Sequence, residues 1–113
     1  MEPISGDTLR GHLDALVLSA LAAGATHGFD IWRRLEEAGG GALRLKEGSL
    51  YPALYRLEAA GFISGEWEAA GVRRGPRRRT YRLTPEGSRR LTQARDEWRR
   101  FVTVIGGIMG APA

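Results

Sequence analysis

Along this chain, helical periods give way to an alternating one and then return, and that order predicts the fold. From Thr8 onward, Leu9, Leu13, Leu16, Val17, Ala20 and Leu21 follow the spacing of one helix face. Asp7 or Thr8 is the expected N-cap, and Gly24 the stop. Leu18 falls off that face, so this helix is expected to touch more than one partner element. Thr26 opens a second helix with Ile31, Trp32, Leu35 and Ala38 inward and Arg33, Arg34, Glu36 and Glu37 toward water. Gly39-Gly40-Gly41 closes it, and Leu43 to Lys46 reads as a brief strand or loop. Met1 to Gly6 reads as a loose arm.

The third helix lies between Glu47 and Gly61. Leu50, Leu54 and Leu57 align at i, i+4 and i+7, with the small residues Ala53 and Ala60 beside them. Ser49 is the expected N-cap, which puts Pro52 in the first turn, where its missing N–H has no intrahelical partner to lose. Tyr51, preceding a proline, is pushed away from helical angles. Gly61 supplies the stop. Turned away from the leucines are Ser49, Pro52, Tyr55, Arg56 and Ala59, with Tyr51 on the shoulder.

After Gly61 the period changes to two. Phe62 to Glu68 alternates, with Ile63 and Trp67 on one side and Ser64, Glu66 and Glu68 on the other. Arg78 to Leu83 forms the partner strand, with Tyr81 and Leu83 inward. Gly71, Gly75 and Pro76 mark a connecting loop too long for a tight turn. Three helices followed by a hairpin predict a mainly α fold with a β-hairpin wing, a winged helix-turn-helix over residues 1–83. Thr84-Pro85-Glu86 then starts a long helix, occupying 84–113 with a short tail. Leu91, Ala94, Trp98, Phe101, Ile105 and Ile108 make a heptad-like seam on it. Gly106 and Gly107 are expected to weaken its last turns, and Gly110 to Ala113 to fray. A winged domain already has its core, so this stripe needs another surface. A second copy of the chain is the simplest supplier, and folding back on its own domain is the alternative.

Charge singles out the hairpin. The 113 residues are 42% hydrophobic and 27% charged, an ordinary balance for one globular domain. The net charge is +4, yet the stretch from Ala69 to Arg82 holds six arginines and no acid. Such a local basic finger is the footprint of a polyanion contact. Arg73, Arg74, Arg77, Arg78 and Arg79 are therefore candidate phosphate ligands, the bland alternative being a solvated charge run. The two tyrosines, serine and arginine on the outer face of the third helix suit base edges and phosphates of double-stranded DNA. A surface helix with no ligand shows such residues too.

Other chemistry finds little support. The absence of cysteine removes disulfides, thiol catalysis and thiolate metal sites. His12 and His27 have no acid at ligand spacing, and nothing marks an activated nucleophile or a phosphate-binding glycine loop. No enzyme activity, cofactor or metal is expected, and His27, at a helix start, reads as a packing or capping residue. Leu16 to Ala25, the most apolar stretch, is about half a membrane span. No secretory signal is visible, so a cytoplasmic protein with no membrane partner is expected.

Three segments together resemble the PadR family of bacterial transcriptional regulators. They are Thr26-His27-Gly28-Phe29; Gly48-Ser-Leu-Tyr-Pro-Ala-Leu-Tyr-Arg-Leu-Glu58 with Gly61-Phe62-Ile63; and Arg78-Arg-Thr-Tyr-Arg-Leu-Thr-Pro-Glu-Gly87. The similarity runs from about Leu9 to Trp98, and the single C-terminal helix is similar to that of the smaller subfamily. The resemblance implies a homodimeric repressor whose third helix enters the major groove, released by a small-molecule or stress signal. Carried over by position, Ser49, Tyr51, Pro52, Tyr55 and Arg56 lie at the DNA, and the hairpin arginines at its backbone or minor groove. It also implies, for some small members, a hydrophobic or aromatic effector held between the long helices. Leu91, Trp98, Phe101 and Ile105 would then line a ligand pocket or dimer interface, with Trp98 as either a cavity wall or an interface anchor. Gly39 to Gly41 and the Gly106-Gly107 pair have no counterpart in the family pattern. A ligand-binding or protein-interaction dimer without specific DNA reading is the competing function, and a non-specific architectural protein a third.

Overall fold

Gly11 breaks the first predicted helix in two. The computed structural model describes residues 3–110, where α1 runs over Gly6–Arg10 and α2 over Leu13–Ala22. Gly11 and His12 occupy the break, where a glycine costs less than it would inside a helix. Ser5 caps α1, its hydroxyl accepting from the Thr8 amide at 3.2 Å, so neither Asp7 nor Thr8 is the cap. The arm ahead of it is tied down, because the Ile4 amide donates to the Ala42 carbonyl at 2.8 Å. Met1, Glu2 and residues 111–113 lie outside the described residues, and with them the fraying expected of the tail.

Helix α3 spans Gly28–Ala38 and α4 spans Glu47–Ala59. His27 caps α3 through Nδ1, which accepts from the Asp30 amide at 3.3 Å. At the end of α4, Gly61 takes φ +82°, the Gly61 amide returns to Glu58 O and the Phe62 amide to Leu57 O. Those two bonds close a Schellman motif, the stop that a glycine permits. Between α3 and α4 the chain is a link rather than a strand. Leu43 and Leu45 are buried while Arg44 and Lys46 are exposed, and α3 side chains hold the Leu45 backbone. Glu36 accepts its amide at 3.0 Å, and Trp32 Nε1 donates to its carbonyl at 2.9 Å.

Helix α2 is the centre of the core, with Leu13, Val17, Leu18, Ala20 and Leu21 all buried. It packs against α3 and α4 and against the later strand Arg79–Leu83 and the C-terminal helix, which is why the off-stripe Leu18 is as buried as the stripe itself. Ile31, Leu35, Leu50, Ala53, Leu54, Leu57 and Ile63 complete the interior. Ala38 and Ala60, expected inward, are exposed.

Strands β1 (Ile63–Trp67) and β2 (Arg79–Leu83) pair antiparallel, from Ile63 with Leu83 to Trp67 with Arg79. Strand β2 is also held on its other edge. The Tyr81 amide donates to Thr26 O at 2.6 Å, and Thr80 bridges to His27. The wing is thus anchored at the start of α3. Trp67, expected inward with Ile63, stays exposed because the hairpin has by then left the core.

The last helix, α5, runs through Pro85–Met109. Thr84 caps it, accepting from the Gly87 amide at 3.0 Å while donating to the Gly61 carbonyl at 2.6 Å. A side chain at Gly87 would overlap the Phe62 carbonyl, so glycine lets α5 leave directly from the α4–β1 corner. Only its first turns bury side chains in the domain, and Gly106 and Gly107 do not interrupt it. At about 37 Å it sets the long axis of a molecule measuring 55 × 32 × 20 Å. No helix among the described residues is long and apolar enough to cross a membrane.

Candidate nucleic-acid interface

Burying Leu50, Ala53, Leu54 and Leu57 forces the rest of α4 outward. Ser49, Tyr51, Pro52, Tyr55 and Arg56 are all exposed, Tyr55 by 77%. The helix begins earlier than expected, with extended Lys46 as N-cap, so Ser49 is inside it and caps nothing. Pro52 consequently lies past the first turn, where a proline removes a ladder bond and crowds the carbonyl four residues back. That residue is Gly48, where an added Cβ would meet nothing within 4 Å, so the helix accommodates Pro52 without help from the missing side chain. Tyr51 reaches back across the start of α3. A Cβ at Gly28 would stand 2.9 Å from its hydroxyl, so the His-Gly pair makes room for the tyrosine. Arg56 is engaged as well as exposed, its Nη2 lying 2.9 Å from Asp14 Oδ1 on α2.

The hairpin arginines divide into two groups. Arg74, Arg77 and Arg78 are exposed at the wing, with Arg77 Nε donating to the Glu68 carbonyl at 2.9 Å and Arg78 Nη1 3.3 Å from His27 Nε2. Arg73 is half-buried in the loop, 3.0 Å from Glu68 Oε1, and donates to the Arg74 and Pro76 carbonyls. Arg79 turns the other way and pairs with Glu58 Oε2 of α4 at 2.5 Å. The hairpin is therefore not an uncompensated run: Glu68, adjoining the basic window, and Glu58, back on α4, neutralise two of its cations.

Ionisation follows the same contacts. The Glu58 hydrogen bond raises the Arg79 pKa above its ordinary value, against an opposing effect of burial. Burial raises the Tyr81 hydroxyl, and the neighbouring Arg79 cation pulls it part of the way back. At Asp30, burial pushes upward, but hydrogen bonds from Arg33 and the Thr26 amide, with Arg34 nearby, hold the carboxyl below its ordinary 3.8.

Sequence reasoning missed a second basic edge. A groove of about 540 Å³ runs beside the start of α4, lined by Arg44, Lys46, Gly48, Ser49, Pro52 and Arg56 above an apolar floor. Its signal in the sequence is the in-out alternation of Leu43, Arg44, Leu45 and Lys46, which over four residues reads only as a brief strand or loop.

On α5 the seam splits. Leu91 is buried in the domain's own core, so it is not free to face a partner as the sequence had suggested. Trp98 and Phe101 are 54% and 55% exposed and stack at 5.8 Å between ring centroids, and Ile105 is half-buried. His12, placed by the α1–α2 break, meets the Trp98 ring edge-on at 5.6 Å. These rings border an apolar groove of about 640 Å³, floored by Leu9, Leu16, Leu35 and Leu91. Among the described residues no three His, Asp or Glu side chains gather as a metal site.

The Transcriptional regulator PadR-like family matches residues 17–93 of the chain. A transcriptional regulator of Mycobacterium tuberculosis, Rv3488, is 37% identical over 92 residues, covering 80% of each chain. A transcriptional regulator from Clostridium thermocellum superposes with a TM-score of 0.81 at 32% identity, over 90% of this chain and 97% of its own. A PadR family regulator from Clostridium difficile gives 0.77 at 31% identity, over 88% and 99%.

Proposed function

The chain belongs to the PadR-like family of transcriptional regulators, and from that membership we propose that it is a homodimeric repressor that reads double-stranded DNA. The observation that carries this reading is the outer face of α4, which presents Ser49, Tyr51, Pro52, Tyr55 and Arg56 beside a wing carrying Arg74, Arg77 and Arg78. In this reading α4 enters the major groove, and the wing arginines meet phosphates on its flank. Arg73, held in the hairpin loop, supports the tip.

Residues 1–83 form the DNA-binding unit and 84–113 the dimerisation helix, whose exposed apolar residues Trp98, Phe101, Val102 and Ile108 pack against a second copy. Dimerisation spaces two α4 helices to reach adjacent half-sites, about one helical turn apart. A cytoplasmic location follows from this role. The test is selection of a duplex from a randomised pool by the purified protein, followed by titration against that duplex and a scrambled one. Preference for the selected duplex, with salt-dependent binding, is expected. Equal affinity for both would mark a non-specific binder.

The groove at Trp98 supports an effector as part of the same function. A flat hydrophobic or aromatic molecule stacking on Trp98 and Phe101 would lie between the two long helices and release the operator. A ligand-binding or protein-interaction dimer that never reads DNA is the second reading, favoured by that groove alone. It requires a compound to quench Trp98 fluorescence while no duplex binds.

A further inference from the structure

We propose that Arg79 is a positioning residue, clamping the wing to α4 through Glu58 and leaving DNA contact to the other hairpin arginines. The inference rests on the DNA-binding reading above and assigns Arg79 a different part in it. Arg79 starts β2, opposite Trp67 in the register. Its side chain crosses β1 above Gly65, where a Cβ would stand 2.6 Å from Nε. The guanidinium then lies 5.4 Å from the Trp67 ring centroid and 5.9 Å from that of Tyr81, and ends on Glu58 in the last turn of α4. The two partners are 28% and 33% exposed, whereas Arg74, Arg77 and Arg78 are exposed.

The root of the wing is buried at Ile63, and beyond it the hairpin is held on two sides. One edge of β2 is bonded to Thr26 and His27 at the start of α3. Arg79 supplies the other, to α4. With only the first, the outer part of the hairpin, beyond the buried Ile63, is free to bend away from α4; with both, its angle to α4 is set. A specific complex needs that angle, because α4 and the wing tip must meet one duplex together. Non-specific binding to phosphates does not, since a swinging cation finds phosphate in many orientations.

The rival account keeps Arg79 as a phosphate ligand that Glu58 holds until DNA arrives. The two accounts predict opposite signs for Glu58→Gln. Removing a carboxylate beside DNA and freeing an arginine would tighten binding to every duplex and steepen its salt dependence. Loosening a clamp would weaken the specific complex alone. Arg79→Lys separates them again, because lysine serves well at a phosphate but poorly across two aromatic rings and a carboxylate.

The experiment titrates wild type, Glu58→Gln and Arg79→Lys against the duplex selected by wild type and against its scrambled form, over a range of salt. Amide hydrogen exchange is followed through β1 and β2. The expected result is about tenfold weaker binding to the selected duplex for both variants, corresponding to the cost of about one mismatched base pair. Scrambled-duplex affinity should stay within about twofold, with an unchanged salt slope and faster exchange in both strands. Tighter binding to both duplexes with a steeper slope overturns the proposal, as does wild-type affinity with wild-type exchange. A wild-type protein that selects no duplex removes the DNA reading itself, and the positioning role with it. In that case faster exchange would still show that the clamp holds the wing.

Discussion

Arg56 of α4 meets Asp14 of α2 across 42 residues of sequence, Nη2 to Oδ1 at 2.9 Å. The pair joins an exposed position on the candidate reading face to the side of the central helix. Both partners are about half exposed, so the bond stabilises the fold by no more than about 1 kcal/mol. Asp14→Asn should therefore leave the melting temperature nearly unchanged while releasing Arg56. If Arg56 serves DNA, that variant should bind duplexes more tightly than wild type and Arg56→Ala less tightly, by about 1–3 kcal/mol at the selected site. Identical titrations for both variants would remove Arg56 from the interface.

Replacing Arg74, Arg77 and Arg78 together with alanine should weaken binding to selected and scrambled duplexes alike. Each lost phosphate contact lowers the slope of log affinity against log salt by about 0.9, so the triple variant should flatten it by up to about 2.7 per subunit, or about 5.4 for the dimer. An unaltered slope would make these three arginines solvated surface.

Phe101→Asp with Ile105→Asp should separate two copies, since each copy then brings charge to an apolar seam. The domain core lies elsewhere, in α2 to α4, the base of the wing and Leu91 at the start of α5, so the winged unit should stay folded. Sedimentation should report a monomer that no longer holds the selected duplex at concentrations where wild type does, having lost the linked second half. A dimer in that experiment would sink the assigned role of α5.

Acid should act on the α2–α3 turn. Asp30 accepts from the Thr26 amide at 3.2 Å and from Arg33 at 2.9 Å, and Arg34 at 3.4 Å carries the link on to the Ala23 carbonyl. Its pKa in the fold is below its ordinary 3.8, so the unfolded chain takes up the proton first on acidification. The stabilisation is thus complete above pH 3.8 and is lost as pH falls through the lower folded value. Asp30→Asn should cost about 1 kcal/mol at neutral pH and lose less of its remaining stability below pH 3.8 than wild type does. Parallel melting curves down the acid limb for both proteins would refute this.

The architecture was legible because its signals are local. Leu50, Leu54 and Leu57 mark one helix face, and Thr84-Pro85 marks a helix start, without reference to anything distant. What could not be read depended on contacts across the chain. Glu58 and Arg79 are 21 residues apart, so a charge count from Ala69 onward saw an arginine without its acid. Pro52 looked like a first-turn residue because Ser49 is a good cap in isolation. The helix starts earlier, capped at Lys46, and carries Pro52 in its interior. Leu91 fitted the seam of α5 by period, yet it is the turn where that helix still lies on α2, and periodicity cannot tell one apolar neighbour from another.

The junction at Gly87 has a mechanical consequence. Thr84 binds the carbonyl of Gly61 and the amide of Gly87, and Gly87 lies bare against Phe62, so the end of α4, the root of the wing and the first turn of α5 share one small rigid knuckle. A helix of about 37 Å fixed at such a point acts as a lever with almost no slack at its fulcrum. A turn of a few degrees applied near Trp98 or Phe101 is transmitted to the knuckle as a turn of similar size, with little of it absorbed by loop bending. Gly87→Ala would pry that fulcrum open without touching either end of the lever.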